Sequence, residues 1–270
     1  EADKVSVRIA QLISEKSFVM SPAQYMSIHA RLFEGIYKHA GKIRDYNISK
    51  SEWVLDGDTV MYGGASDLRA TLDYDISQER DFSYKNLSLE QTIKHLAVFI
   101  SRLWQIHVFS EGNTRTTAVF FIKYLRTLGF DVTNDIFAEN AWYFRNALVR
   151  ANYTNLQKGV HETTEYLEAF LRNLLLGESN ELKNRHLHIN CTLEAPKCKK
   201  DTENCTLDCT LDELSVLNLL REDGKMTQKQ LAQSINKSER TVKTITASLE
   251  GKGYITRANG KRFGYWKVNI

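Results

Sequence analysis

Between Ser88 and Gly129 the chain is two strongly apolar helical runs separated by only four polar, turn-forming residues, Ser110–Asn113 (SEGN). In the first run Leu89, Ile93, Leu96, Ala97, Ile100, Leu103 and Trp104 fall on one face, and Ser88 with Gln91 has the spacing of a capping box. The spacing predicts a helix from Ser88 to about Phe109. A second helix follows from Thr114 to Leu128, closed by Gly129 as a left-handed cap. Two such helices joined so tightly must pack as neighbours, and only two prolines in 270 residues leave little to interrupt helices elsewhere. A mainly helical fold is expected, with further helices near Ile28–His39, Asp135–Ala151 and His161–Leu176. The exception is WVLDGDTVMYGG, where Asp56 and Gly57 are suited to turning a short β-hairpin.

No run of about 18 uncharged apolar residues occurs, and Glu1–Val19 carries charge throughout, so neither a spanning helix nor a signal peptide is read and a cytoplasmic protein without membrane contact is expected. Charge is distributed unevenly. Residues 211–270 hold 11 Lys/Arg and 6 Asp/Glu, leaving 25 and 27 for residues 1–210. Within that basic tail, Leu211–Leu220, a helix opened by Thr227 and Gln230, and Ser238–Leu249 precede two strands joined at Asn259–Gly260, a preferred hairpin pair. Three helices and a hairpin describe a winged helix. The domains expected are therefore 1–180, a linker over 181–210, and 211–270. The linker holds Cys191, Cys198, Cys205 and Cys209, spaced x6, x6 and x3 with His186 and His188 nearby. Without a C-x2-C pair this reads as a polar linker with reduced thiols, with a structural zinc as the alternative.

The loop between the two apolar helices carries the chemistry. His107–Arg115 reads HVFSEGNTR: an imidazole, a carboxylate, a glycine turn and a guanidinium. Gly112, Asn113 and Thr114 open the second helix, where free N–H groups and the positive dipole end suit a phosphate. Arg115 can reach the same anion with forked donors, Glu111 can give an oxygen to a magnesium ion bridging phosphates, and His107 has the ordinary pKa for taking a hydroxyl proton near neutrality. Each of these residues alone also has a purely structural explanation; the conjunction is what points to phosphate-group transfer.

That nine-residue segment closely resembles the signature of the Fic family, H-x-F-x-[D/E]-G-N-x-R. LFEGIYKHAGKIR (Leu32–Arg44) resembles the family's first core helix and the loop after it, and Trp53–Tyr62 stands where the family carries its target-docking flap. The resemblance covers roughly residues 25–176. It implies a Fic-type helical bundle with a short β-hairpin flap, and transfer of AMP from ATP to a Ser, Thr or Tyr hydroxyl of a target protein aligned on the flap, or of the chain itself. His107 is then the base, Glu111 the Mg2+ ligand, Gly112 and Asn113 the anion hole, and Arg115 a phosphate ligand. Phe109 is a core anchor for the loop. Tyr143, on a later helix, is a candidate adenosine contact, with a packed core tyrosine as the equally supported alternative.

Three positions depart from the family pattern. Val108 replaces a frequent proline, Thr114 a usual glycine, and Ala118 a second arginine that often binds the γ-phosphate or an inhibitory glutamate. The inhibitory motif [S/T]-x-x-x-E-[G/N] occurs only as TASLEG, Thr246–Gly251, inside the tail's third expected helix, so restraint of that kind is not expected. Control by the tail, by homo-oligomer formation or by another protein stays open. For the tail itself, Lys237, Arg240 and Lys243 near the start of the third helix, with Lys261 and Arg262 at the wing, favour DNA slightly over protein docking. Two other functions remain in view: transfer of another phosphate-containing group, and a DNA-bound regulator whose Fic domain is a weak enzyme or a ligand sensor.

Overall fold

The computed structural model describes residues 1–190, 208–258 and 264–270. It divides into two compact units, Glu1–Ser83 with Ile93–Asp201, and Tyr84–Thr92 with Thr202–Ile270. No helix among the described residues is long and apolar enough to cross a membrane.

Up to residue 176 the chain runs α1 (Ala2–Ser14), α2 (Pro22–Phe33), a 3-10 turn (Trp53–Leu55), α3 (Leu68–Asp81), α4 (Leu89–Ile106, in the first unit from Ile93), α5 (Asn113–Thr127), α6 (Asp135–Glu139), α7 (Ala141–Arg150) and α8 (Glu165–Leu176). The apolar face read from α4 is the buried one: Ile93, Leu96, Ala97, Ile100, Leu103 and Trp104 have essentially no exposed surface. Ser88 and Gln91 close the expected box, Gln91 N–H donating to Ser88 Oγ (3.2 Å) and Ser88 N–H to Gln91 Oε1 (2.9 Å). Every residue of α5 from Thr116 to Leu125 is buried, and a helix covered on all sides has to be the centre of its bundle; α1 and α2 both pack on it. Gly129 follows with φ 92°, the left-handed cap expected.

Boundaries differ from the sequence expectation where local chemistry intervenes. The helix expected over Ile28–His39 starts earlier, because Ser21 caps it through Gln24 N–H (3.1 Å) and Pro22 takes the first helical position. It ends at Phe33, before Gly35 turns left-handed (φ 67°). The single helix expected over Asp135–Ala151 is broken at Asn140 into α6 and α7. α8 begins at Glu165, four residues after His161. α3 was not legible, since only Leu68, Leu72 and Ile76 provide its apolar stripe.

The flap expectation needs correction. Asp56 (φ 57°) and Gly57 (φ 87°) do reverse the chain, and Glu52 N–H reaches Asp58 O (2.8 Å) across the turn. The flanks form no strand pair: Trp53–Leu55 winds into a 3-10 turn because Val54 and Leu55 are both driven into the core, which a two-residue alternation would forbid.

The second unit is a winged helix: α9 (Leu211–Glu222), α10 (Gln228–Ser234), α11 (Glu239–Gly251), β1 (Ile255–Ala258) and β2 (Tyr265–Val268), antiparallel with Ile255 opposite Val268 and Arg257 opposite Trp266. Thr210 with Glu213 and Thr227 with Gln230 form full capping boxes, and Ser238 caps α11. TASLEG is the last half of α11, as its sequence placement implied. The Asn259–Gly260 turn, Lys261 and Arg262, and Cys191, Cys198 and Cys205 lie outside the described residues. Cys209 is a buried free thiol whose pKa burial pushes up to about 11. Among the described residues no three potential ligands are grouped for a metal.

At the far end of α5, Lys123 is 3% exposed and donates to the carbonyls of Leu12 and Glu15, both at 2.7 Å. It closes carbonyl ends that α1 leaves open. Lys123→Met keeps the stem and removes the donors; we expect a loss of about 1–3 kcal/mol in denaturant unfolding and faster amide exchange concentrated in α1. Unchanged exchange there would contradict this role.

Candidate functional site

The loop is fixed before any ligand is considered. Asn113 is buried, and its side-chain amide bonds the backbone of Phe109 twice: Phe109 N–H donates to Oδ1 (2.9 Å) and Nδ2–H donates to Phe109 O (2.6 Å). The side-chain amide is thereby occupied, which leaves only the backbone N–H of this residue for the expected anion cradle. Gly112 precedes α5 with φ 78°, and a Cβ there would stand 2.4 Å from the Phe33 ring, so both torsion and space demand glycine. Phe109 is buried between the rings of Tyr25 (5.6 Å) and His29 (3.7 Å, stacked), as its anchoring role requires. His29 accepts Gly41 N–H at Nδ1 (2.8 Å), so Nε2 carries the hydrogen and donates to Glu111 O (3.0 Å).

Arg44 is a second clamp, one whose role the sequence did not reveal. Its guanidinium is buried, Nε donating to His107 O (2.8 Å) and the remaining donors reaching the carbonyls of Tyr46 and Gly63; its own N–H binds Val108 O (3.0 Å). Those bonds hold His107 at φ 52°, a left-handed torsion uncommon outside glycine. A lone arginine after a loop has no periodicity to mark it, which is why reading by pattern passed over it.

His107 sits at the end of α4, 4% exposed, its ring 4.3 Å from Tyr62 and 5.3 Å from Trp104. Neither ring nitrogen has a hydrogen-bond partner among the described residues. Burial, reinforced by the positive charges of Lys50 and Arg44, drives its pKa down to about 3. This corrects the expectation of an ordinary imidazole pKa: the ring is firmly neutral at pH 7. Tyr62 is held over it by a bond from its hydroxyl to Glu52 Oε1 (3.0 Å), and the buried Glu52 is in turn gripped by both Nη atoms of Arg145 (2.6 and 2.9 Å).

The remaining expected residues separate. Arg115 lies over the Phe33 ring (4.7 Å) and donates from Nη2 to Glu1 Oε1 (2.9 Å) and to the Tyr37 hydroxyl (3.2 Å). A carboxylate thus already occupies part of its donor fork. Thr116 N–H makes the bond back to Gly112 O (3.0 Å), so the N–H groups of Asn113, Thr114 and Arg115 are the first-turn donors with no carbonyl four residues back inside the helix. The Thr114 hydroxyl is turned to α4, accepting Trp104 Nε1–H (3.0 Å), so this oxygen is occupied in joining the two helices. Glu111 is exposed, with Lys50 Nζ 3.7 Å from Oε2. Tyr143 is corrected: it is 1% exposed in the core with its hydroxyl on Tyr166 O (3.3 Å), so its surface is used in packing and not offered to adenosine.

His29 and His107 together set an acid limit. Burial lowers the His29 pKa to about 4. An unfolded histidine protonates near 6.5, so below that pH the unfolded chain binds protons the native site refuses, and stability falls as pH drops from about 6.5 toward 4. The urea midpoint is expected to decline through this window, less steeply in His29→Gln. Parallel profiles for the two proteins would contradict the assignment.

Residues 19–125 match the model of the Fic/DOC family, and residues 213–256 that of the winged helix-turn-helix DNA-binding family. The probable protein adenylyltransferase y4lH of Sinorhizobium fredii is 29% identical over 110 residues, 41% of this chain and 55% of that protein, so the match spans about half of the relative's length. Among solved structures, the N-terminal FIC domain of Bep8 from Bartonella sp. 1-1C superposes with a TM-score of 0.49 at 19% identity, covering 64% of this chain and 84% of that one. BepC from Bartonella tribocorum gives 0.49 and 17%, covering 64% and 83%. The family match is thus confined to two segments, a Fic/DOC domain at residues 19–125 and a winged helix-turn-helix segment at 213–256.

Proposed function

We propose that the Fic domain is a protein adenylyltransferase that moves AMP from ATP to a Ser, Thr or Tyr hydroxyl. The observation that carries this reading is a buried, neutral imidazole with two unpartnered ring nitrogens on the same short loop as an open helix N-terminus. In the reaction His107 takes the hydroxyl proton, the freed oxygen attacks the α-phosphorus, and the bond to the bridging oxygen breaks to release pyrophosphate. The first-turn N–H groups of α5 and the Arg115 guanidinium bind phosphate oxygens and oppose their growing charge. The carboxylate on Arg115 must give way for this, and the Tyr62 ring must move for a target hydroxyl to reach His107.

Magnesium fits as an ion that arrives with the nucleotide. It retains waters and needs only one or two carboxylates, and Glu111 is an exposed carboxylate on the loop. When bound there it would neutralise phosphate charge.

ATP labelled at the α-phosphate is expected to label protein in wild type and not in His107→Ala. Label passing only from the γ-phosphate would replace this reading by a kinase-like transfer. Because a base must be neutral to act, kcat/KM should rise with pH through a limb lying well below 6.5; a limb at 6.5 would mean that the closed arrangement is not the one that reacts.

For the second unit we propose DNA binding. Lys237, Arg240 and Lys243 are exposed around the start of α11, the helix that would enter the major groove. Lys237 is partly offset by Asp212 at 3.1 Å. Affinity for DNA should fall steeply with salt, and Lys243→Ala should flatten log K against log salt by about 1. A slope unaffected by salt would favour protein docking.

A further inference from the structure

We propose that Lys50 is a phosphate ligand of the Fic site, a cation carried to the nucleotide from the segment that precedes the Asp56–Gly57 turn. The inference rests on the nucleotide reading above and adds to it a residue that lies outside the loop signature.

Lys50 is brought to the loop by its own backbone. Its N–H donates to Thr59 Oγ1 (3.2 Å), Ser51 Oγ–H to Gly57 O (3.0 Å) and Glu52 N–H to Asp58 O (2.8 Å), so the stem of the turn is tied across at three successive residues. From there the side chain reaches Glu111, and Lys50 is the strongest of the charges acting on the His107 ring. Its ammonium therefore bears on both the loop carboxylate and the imidazole.

The contact it now makes is an easy one to exchange. At 3.7 Å, with side chains 29% and 60% exposed, the pair is an ordinary surface ion pair that contributes little to stability. Of the other cations at this loop, Arg44 is buried among carbonyls, and Arg115, now on Glu1 and Tyr37, is the one already assigned to the phosphates. Along α5, Lys123 and Arg126 are used at its opposite end, on the carbonyls of α1 and Val132. An incoming polyphosphate would thus meet α5 and Arg115 on one side and find in Lys50 a flexible point charge with three donors on another, the form in which lysine binds phosphate.

The test is calorimetric titration of the full chain with ATP and with adenosine, in wild type, Lys50→Met and Lys50→Arg. Loss of one charge-assisted bond predicts ATP binding weakened roughly 10- to 100-fold in Lys50→Met, adenosine binding unchanged, and most of the ATP affinity restored in Lys50→Arg. Unchanged ATP binding in Lys50→Met, or equal losses for ATP and adenosine, would overturn the assignment. Wild type that binds neither compound would instead remove the nucleotide reading, and this inference with it.

Discussion

The site depends on one buried amide. Asn113 bonds both polar groups of the Phe109 backbone and so closes residues 109–113 into a ring, with its own side chain as the tie. Everything chemically useful hangs on that closure. It sets the register between the end of α4, which carries His107, and the start of α5, which carries the open N–H groups and Arg115. The supports around it are equally specific: a glycine where Phe33 leaves no room for a β-carbon, a histidine locked in one tautomer beneath the loop, and a buried guanidinium holding the left-handed backbone of His107.

A consequence of this tight support is a site in a closed state. The His107 imidazole is kept neutral by burial, beneath a tyrosine whose hydroxyl is fastened to the Glu52–Arg145 pair. Arg115 is held by a carboxylate and a phenol. Leaving two ring nitrogens of a buried histidine without partners is costly, and groups left so in a native structure are where a bound partner is to be looked for. The same burial makes the imidazole a ready proton acceptor in protonation state and a weak one in driving force, so in the proposed reaction the approach of a substrate must alter its surroundings before it can act.

Much of this was legible in the sequence because it is written in local patterns. The α4 face, the Ser88–Gln91 box, the Gly129 cap and the three-helix tail all follow from spacing within a few residues, and the loop motif compresses its chemistry into nine positions. What was not legible arises from partners far apart in the chain. Arg44 and His107 are 63 residues apart, Arg145 and Glu52 are 93 apart, and His29 reaches Glu111 across 82. The flap was misjudged because Asp56–Gly57 does turn the chain, while the pull of Val54 and Leu55 into the core decides what its flanks become. For Tyr143 the sequence left an adenosine contact and a packed core tyrosine both open, and the carbonyl of Tyr166, 23 residues away, decides for the core.

The central claim is that the first turn of α5 grips the phosphates of a nucleotide. Backbone amide NMR during a titration with a non-hydrolysable ATP analogue tests it directly. The account predicts that the largest shifts fall on the N–H groups of Asn113, Thr114 and Arg115, since those donors would gain an acceptor, and that they recur with the triphosphate but not with adenosine. Saturable binding whose shifts lie elsewhere and spare the start of α5 would contradict it.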